Sequence, residues 1–452
     1  MSDKLGSKSL VAVIGAGPAG IYASNYLAQR GVEVVLFNRD IKPGGLVEYG
    51  IFPDKTKLRN GLLNYLNRVL NLPNIHYFGN VKIGRDGDIS LDQLRWAGFQ
   101  AIMVTTGAQN SNWLGLPGED LKGVYHANEI VFHYNNYPEF AQKSFKIGRH
   151  VAVIGVGNVT MDIVNYLSLK NTERVVTAYA RRGPAEVKFD KETLAPIAQC
   201  LDCDQIETSV REALPVVETM GEDLTMFFQL LKAAKGKAED CGSGLSFRMK
   251  FLRSPRRLIG DSKRQVKEIV FELNDLYQEG DRLMSRGKGQ FEVVPADTVI
   301  FSIGSQVDAN FGLPVEKGNF MTSPEPHFPI DGISYEVYNP SLCAECEDVF
   351  VSGWARKASE GIVGLAKKDA ERGAQAVLQY LGSLGPCPAT SVTSALQKLP
   401  LDQGKVVIEA ELPKLRAAEQ EKASQLGWSD YKFKTNEAML KSIKGNLRDE
   451  NV

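Results

Sequence analysis

Leu10-Val-Ala-Val-Ile14-Gly15-Ala16-Gly17-Pro18-Ala19-Gly20 decides how this chain folds. Leu10–Ile14 is a short apolar run that leads straight into Gly15, Gly17 and Gly20. An unbroken apolar run of that length reads as a strand buried on both faces, as in a parallel sheet. Helical spacing of apolar residues then runs to Gln29. Gly31 stops it, and Val32–Phe37 is a second apolar run. The unit is β-α-β. In that setting Gly15 permits the tight turn, Gly17 lets backbone approach a pyrophosphate, and Gly20 lets helix and strand pack closely. The helix start at Pro18 and Ala19 offers unpaired N–H groups and partial positive charge to phosphates. The competing explanation is an accidental glycine-rich turn, and the flanking strand and helix weigh against it. The end of the second strand usually carries an acid for ribose hydroxyls. Here it is Asn38, whose carbonyl accepts a hydrogen bond without the charge. Asp40 substitutes only if the loop bends back.

A second unit begins at Val151. Strand Val151–Ile154 leads to Gly155-Val-Gly157-Asn158-Val159-Thr160, a helix to about Leu169, and strand Val175–Tyr179. Thr160 replaces the third glycine, so helix and strand are expected to sit slightly further apart. Ala180-Arg181-Arg182-Gly183 follows, with no acid where a bare ribose would want one. Guanidinium forks at Arg181 and Arg182 suit a 2′-phosphate, so the second site is read as one for NADP(H). Two solvated arginines at a strand end are the bland alternative. Strands Ala101–Thr105 and Thr298–Ser302 end near Gly107 and Gly304, at matching places in the two halves. Residues 190–295 read as an acidic helical stretch followed by strands. A last apolar strand, Val349–Ser352, precedes a helix from about Gly361 to Tyr380, and the charged tail has helical periodicity around Leu412–Leu426.

The 452 residues allow two or three domains, and 43% hydrophobic with 24% charged residues is ordinary for a folded, soluble protein. A net charge of −1 points to neither nucleic acid nor membrane. Met1–Ser9 lacks the apolar core of a signal peptide, and no apolar run reaches the ~18 residues of a membrane span. Six cysteines are too few for a disulfide scaffold. The expected location is cytoplasmic.

The chain resembles the adrenodoxin reductase family of FAD-dependent ferredoxin–NADP reductases over nearly its whole length. The resemblance rests on the first glycine loop, Gly44-Gly-Leu-Val-Glu-Tyr-Gly-Ile-Phe-Pro-Asp54, Gly155–Asp162, Arg181-Arg-Gly-Pro184, and Ser352-Gly-Trp354 with Gly361. Most two-dinucleotide flavoproteins carry an Asp where this group has Trp354. The resemblance implies an α/β fold with two Rossmann-like dinucleotide-binding domains, the FAD domain interrupted by the NADP domain. The expected parts are residues 1–107 for FAD, 108–313 for NADP with an insertion, and 314–452 for the rest of the FAD domain and a C-terminal extension. It implies an oxidoreductase in which NADPH passes hydride to FAD and a ferredoxin-type iron–sulfur protein then takes single electrons, or the reverse. Gly45, Leu46, Val47 and Gly107 are expected at the flavin, and Trp354, Gly361 and Ile362 around isoalloxazine and nicotinamide. Asn158 and Val159 fall at the NADP pyrophosphate, and Asp162 at an acid of the flavin–nicotinamide region. Lys55 stands where the family usually has a His, which questions a relay there. Lys357-Ala-Ser-Glu360 replaces the family's Arg-Gly-Pro-Thr.

Cys200-Leu-Asp-Cys203 and Cys343-Ala-Glu-Cys346 are both CxxC. They admit three readings: four ordinary thiols, a shared zinc or iron–sulfur site, or one redox dithiol serving the flavin. The dithiol reading makes the chain a disulfide or small-molecule reductase. A non-catalytic FAD/NADP-binding subunit of a redox complex is a third functional class. Phe247-Arg248-Met-Lys250-Phe251 alternates apolar and basic residues, and Arg253, Arg256 and Arg257 follow. That surface is either a docking patch for an acidic ferredoxin or an ordinary solvated strand face.

Overall fold

The computed structural model describes residues 9–170, 172–236, 244–358, 363–385 and 390–445. Gly361 and Ile362 lie outside them. The strands of the larger sheets are, in chain order, β1 (Leu10–Ile14), β2 (Glu33–Asn38), β3 (Ile75–Gly79), β4 (Ala101–Val104), β5 (Val124–His126), β6 (His150–Ile154), β7 (Arg174–Tyr179), β8 (Leu245–Lys250), β9 (Arg253–Gly260), β10 (Val266–Glu279), β11 (Arg282–Pro295), β12 (Thr298–Phe301), β13 (Glu336–Asn339), β14 (Ala344–Val351) and β15 (Val407–Ile408). The helices that matter for the site are α1 (Pro18–Ala28), α2 (Leu46–Tyr49), α3 (Thr56–Leu70), α4 (Asn158–Ser168), α5 (Cys203–Thr219), α6 (Val363–Ser383) and α7 (Leu412–Leu426).

The chain divides into two compact units. Unit 1 takes residues 1–110, 134–142 and 304–452, and unit 2 takes 111–133 and 143–303. Unit 1 is built on a sheet in the order β13-β14-β4-β1-β2-β3-β15. Its four central strands, β4, β1, β2 and β3, run parallel, and β14 joins them in the same sense. Alternate residues of β1 serve two cores. Val11 and Val13 face the one that includes α1, α6 and Leu412 and Leu415 of α7, while Leu10, Ala12 and Ile14 face the other. This double burial explains why β1 has no polar position. The tail is part of the unit, since β15 pairs antiparallel with β3.

Unit 2 repeats the theme with the order β5-β12-β6-β7-β8, parallel throughout. The expected strand at Phe247 is β8, and its Leu245, Phe247 and Met249 are buried while the intervening side chains are half-exposed. The 190–295 segment holds α5 and an antiparallel meander, β9-β10-β11. Ile269 and Phe271 of β10 share a core with Ala152, Ile154, Val299 and Phe301 of the parallel sheet, and Phe271 stacks on Tyr179 with ring centroids 4.1 Å apart.

Candidate dinucleotide sites

At the first loop, Gly15 has φ +102, and a Cβ there would lie 2.8 Å from the Thr105 carbonyl oxygen. A Cβ on Gly20 would lie 1.9 Å from the Gly15 carbonyl oxygen, so any side chain would push α1 off β1. Gly17 is different: a Cβ there meets no protein atom within 4 Å. Gly17 caps α1 with no side-chain bond, and the first turn, Pro18 to Gly20, carries no acid. The helix end is thus open to an anion, with its N–H groups and positive dipole end uncommitted to a side chain. On the same sheet edge, the Ser352 hydroxyl is buried without a protein hydrogen-bond partner. These features fit a bound dinucleotide.

Asn38 departs from its expected role. Its Oδ1 accepts from the Ala16 N–H at 3.0 Å, and its Nδ2 donates to the Asp40 and Lys42 carbonyls at 2.9 and 3.0 Å. The amide therefore ties the glycine loop to the chain leaving β2. The chain curls round the Asn38 amide, and the Asp40 carboxylate accepts from the Tyr137 hydroxyl at 2.8 Å. Burial and Asp40 both push the Tyr137 phenol well above its usual range, so it remains a donor. Arg39 donates to Tyr137 and Gln109.

The second loop uses different chemistry for the same end. Gly155 has φ +119, and a Cβ there would lie 2.2 Å from the Ser302 carbonyl oxygen. Thr160, fully buried in place of the third glycine, donates its hydroxyl to the Gly155 carbonyl at 3.0 Å. In unit 1 Thr105 performs that task, donating to the Gly15 carbonyl at 2.9 Å. Gly157 again caps the helix without a side-chain bond and with open space over it, and no acid enters the first turn. Asn158 is tied to Asp190 through both amide atoms, and Val159 is exposed. Arg181 and Arg182 are not equivalent. Arg182 pairs with Glu186 at 2.6 Å and donates to the Leu283 carbonyl, whereas Arg181 is exposed and has no side-chain partner among the described residues.

The pyridine nucleotide-disulphide oxidoreductase family matches residues 9–240, just over half the chain. The chain belongs to that family. Within this oxidoreductase family it is similar to the mitochondrial NADPH:adrenodoxin oxidoreductase of Salvelinus fontinalis, at 26% identity over 86% of this chain and 81% of that one. It is also similar to the NADPH-ferredoxin reductase FprA of Mycobacterium tuberculosis, at 27% identity over 82% and 84% of the two chains. The solved structure of FprA from that organism in complex with NADPH superimposes with a TM-score of 0.78 at 24% identity, covering 97% of this chain and all of the other. The resemblance to adrenodoxin reductases read from the motifs is borne out, as is the two-site Rossmann-like fold.

The oxidoreductase's Gly44–Gly50 segment is held by charge that the motif reading missed. Gly44 N–H donates to the Ala16 carbonyl at 2.7 Å, and a Cβ on Gly45 would lie 3.1 Å from Gly17 Cα. Leu46 is exposed and Val47 buried. Beside them Glu48, 5% exposed, pairs with Lys42 at 2.8 Å and Lys432 at 3.3 Å. Lys42 also meets Glu419 of α7 at 2.8 Å. Burial pushes Glu48 up, but Lys42 and Lys432 override it and hold the carboxyl at about 2. Glu419 and Lys432, from the C-terminal part of the chain, thus underpin the Gly44–Gly50 segment. Lys55 caps α3 half-buried.

Trp354 lies half-buried in a one-turn helix, Gly353–Ala355, at the end of β14. Asp369 of α6 holds this turn. It accepts from Gly353 N–H at 2.6 Å and from the Tyr335 hydroxyl at 3.2 Å, and it pairs with Arg356. Gly353 has φ +64, and a Cβ there would lie 2.6 Å from Ala19 Cβ, so the turn sits directly on the first helix. Asp162 is half-buried on α4.

The cysteine pairs and the basic run are arranged as follows. Cys200 and Cys203 belong to unit 2 and Cys343 and Cys346 to unit 1. All four are free thiols, and among the described residues no three His, Cys, Asp or Glu side chains are placed to hold a metal ion. The four-cysteine metal site is withdrawn. Nor does either pair suit a flavin dithiol. Cys346 pairs across from Val337 of β13, on the far side of a bulge from Phe350, and burial raises its thiol pKa. Cys200 is buried, and the α5 start at Cys203 is already capped by Asp202. The basic patch is also mostly neutralised. Arg248 pairs with Asp202, Lys250 with Glu212, Arg253 with Glu212 and Glu292, and Arg256 with Glu272. Arg257 alone of the five is exposed without an ion pair among the described residues.

Proposed function

We propose that this oxidoreductase moves hydride from NADPH to FAD and then single electrons to a ferredoxin-type iron–sulfur protein, or runs the sequence in reverse. The observation that carries it is the pair of open helix ends, Gly17–Gly20 and Gly157–Thr160, with the exposed Arg181 beside the second. In this reading unit 1 holds FAD and unit 2 NADP(H). Bound flavin accepts an electron pair as hydride and releases the electrons one at a time. The chain's residues bind, orient and exclude water. Asn38 positions the first loop and Asp40 takes the ribose hydroxyls. Trp354 covers the flavin edge, with Gly361 and Ile362 next in the chain. Asp162 serves the nicotinamide end. Lys55 carries no imidazole, so a histidine relay at that position has no part here.

The similarity to NADPH:adrenodoxin oxidoreductases and an NADPH-ferredoxin reductase supports the iron–sulfur partner. Of the docking patch, the proposal keeps Arg257. Among the described residues no helix is long and apolar enough to cross a membrane.

Anaerobic mixing of flavin-loaded protein with NADPH and a [2Fe–2S] ferredoxin tests the reading. Catalytic bleaching of the ferredoxin is the expected result. Rapid reduction of a disulfide substrate without ferredoxin reduction would transfer the assignment to the disulfide-reductase class. Bound cofactors with no turnover would leave a binding subunit.

A further inference from the structure

Where the Arg181 guanidinium can reach depends on the backbone that carries it, and that backbone lies just past the last rung of the ladder, Tyr179 opposite Lys250. Its polar groups are satisfied by the end of β8 and by the chain that follows it. Ala180 N–H donates to the Lys250 carbonyl at 2.8 Å, Arg253 N–H to the Ala180 carbonyl at 2.9 Å, and Leu252 N–H to the Arg182 carbonyl at 3.2 Å. The Arg181 carbonyl receives the side-chain amide of Asn274 at 2.8 Å. Asn274 is 2% exposed and comes from β10, in the middle of the meander. Its second amide hydrogen goes to Ser254 Oγ at 2.8 Å, and its own N–H to the Leu252 carbonyl at 2.9 Å. Leu252 holds φ +57, a left-handed conformation that branched and bulky residues avoid. The ladder between β10 and β11 breaks register between Glu272 and Asn274. Such bulges re-aim a side chain, and they gather next to functional sites.

A buried amide that spends both hydrogens on one loop carbonyl and one neighbouring hydroxyl fixes that loop. We propose that Asn274 is a positioning residue for coenzyme choice: the meander inserted after the second β-α-β unit sets the Arg181 backbone so that its guanidinium meets the 2′-phosphate of NADPH. This rests on the reading of Arg181 as the 2′-phosphate residue. Arg182, taken by Glu186, contributes less.

The test uses flavin-loaded full-length protein and two probes that differ by the 2′-phosphate alone, 2′,5′-ADP and 5′-AMP, with dissociation constants from calorimetry. Asn274→Ala should weaken 2′,5′-ADP about tenfold, the scale of one charge-assisted contact, and leave 5′-AMP unchanged. The KM for NADPH should rise with kcat constant, the signature of lost uniform binding. Asn274→Asp, which cannot donate to the Arg181 carbonyl, should lose at least as much. Ser254→Ala frees one side of the amide and should cost about threefold. It keeps the test alive if Asn274 variants do not fold, and an unchanged probe ratio there would then overturn the proposal. Arg181→Ala separates the two levels. If it collapses the ratio and Asn274→Ala does not, the Asn274 inference is wrong and the Arg181 reading survives. If Arg181→Ala leaves the ratio intact, the underlying reading fails. Equal loss of both probes in Asn274→Ala, with a lowered Tm, would reduce Asn274 to a structural role and overturn the proposal as well.

Discussion

Replacing Glu48 by Gln removes one negative charge from a buried cluster and leaves Lys42 and Lys432 facing a neutral amide. Lys432 keeps its bond to the Glu48 backbone carbonyl, and Lys42 keeps Glu419. The cost follows from the carboxyl's displacement. Its folded value is held at about 2, against 4.5 for the ordinary group, and at 1.36 kcal/mol per unit that is about 3 kcal/mol. The range for breaking a buried ion pair, about 3–5 kcal/mol, agrees. Urea unfolding at pH 7 measures it directly. Because the folded pKa lies below the unfolded one, the Glu48 contribution is complete above about pH 4.5 and is lost as pH falls toward 2. Glu48→Gln should therefore also flatten the acid limb of the stability profile. Lys432→Met on the Gln background should cost less than the two single losses added, since the Glu48–Lys432 ion pair is then removed only once. Flavin should leave the Gln variant more readily, because the Gly44–Gly50 segment is bonded to Ala16 of the glycine loop. A variant within about 0.5 kcal/mol of the parent, the ordinary scatter of surface substitutions, with an unaltered acid limb, would refute the reasoning.

Gly20→Ala places a methyl 1.9 Å from the Gly15 carbonyl oxygen; purified protein should lack flavin absorbance while unit 2 still binds 2′,5′-ADP. Asp369→Asn weakens the bond to Gly353 N–H and discharges the partner of Arg356, so a loss of about 1–3 kcal/mol and a shifted flavin absorption band are expected in thermal and spectral measurements. Arg257→Glu should slow ferredoxin reduction about threefold to tenfold at low salt through the encounter rate, with the difference fading at high salt and NADPH-to-ferricyanide turnover unchanged. A parallel fall in both activities would remove Arg257 from the docking surface.

Both β-α-β units were legible because their determinants are local. A strand buried on both faces has to be an unbroken apolar run, and a turn at φ +102 or +119 has to be glycine, so Leu10–Gly20 and Val151–Gly157 announce themselves. The tail helix at Leu412–Leu426 was legible from its periodicity for the same reason. What adjacent sequence does not carry is who satisfies whom. Asn38 looked like a ribose ligand, and the buried Ala16 N–H claims its oxygen instead. Thr160 looked like a spacer, and its hydroxyl closes onto Gly155. The arginine-rich strand end and the β8–β9 basic run read alike as clusters of charge. Glu186, four residues on, takes Arg182, and acids from other elements, Glu212, Glu272 and Glu292, take most of the β8–β9 run, which leaves Arg181 and Arg257 exposed. Spacing alone left two CxxC pairs open to a shared metal, and among the described residues no such cluster of ligands forms. Glu48 with Lys432, and Arg181 with Asn274, lie 384 and 93 residues apart. The sequence by itself determined where two dinucleotides' phosphates can sit, because that needs only glycine and a helix start. Tertiary structure decided which charges are left over to meet them, because most of the partners that bury or pair a charge here, Asn274 and Lys432 among them, come from far along the chain.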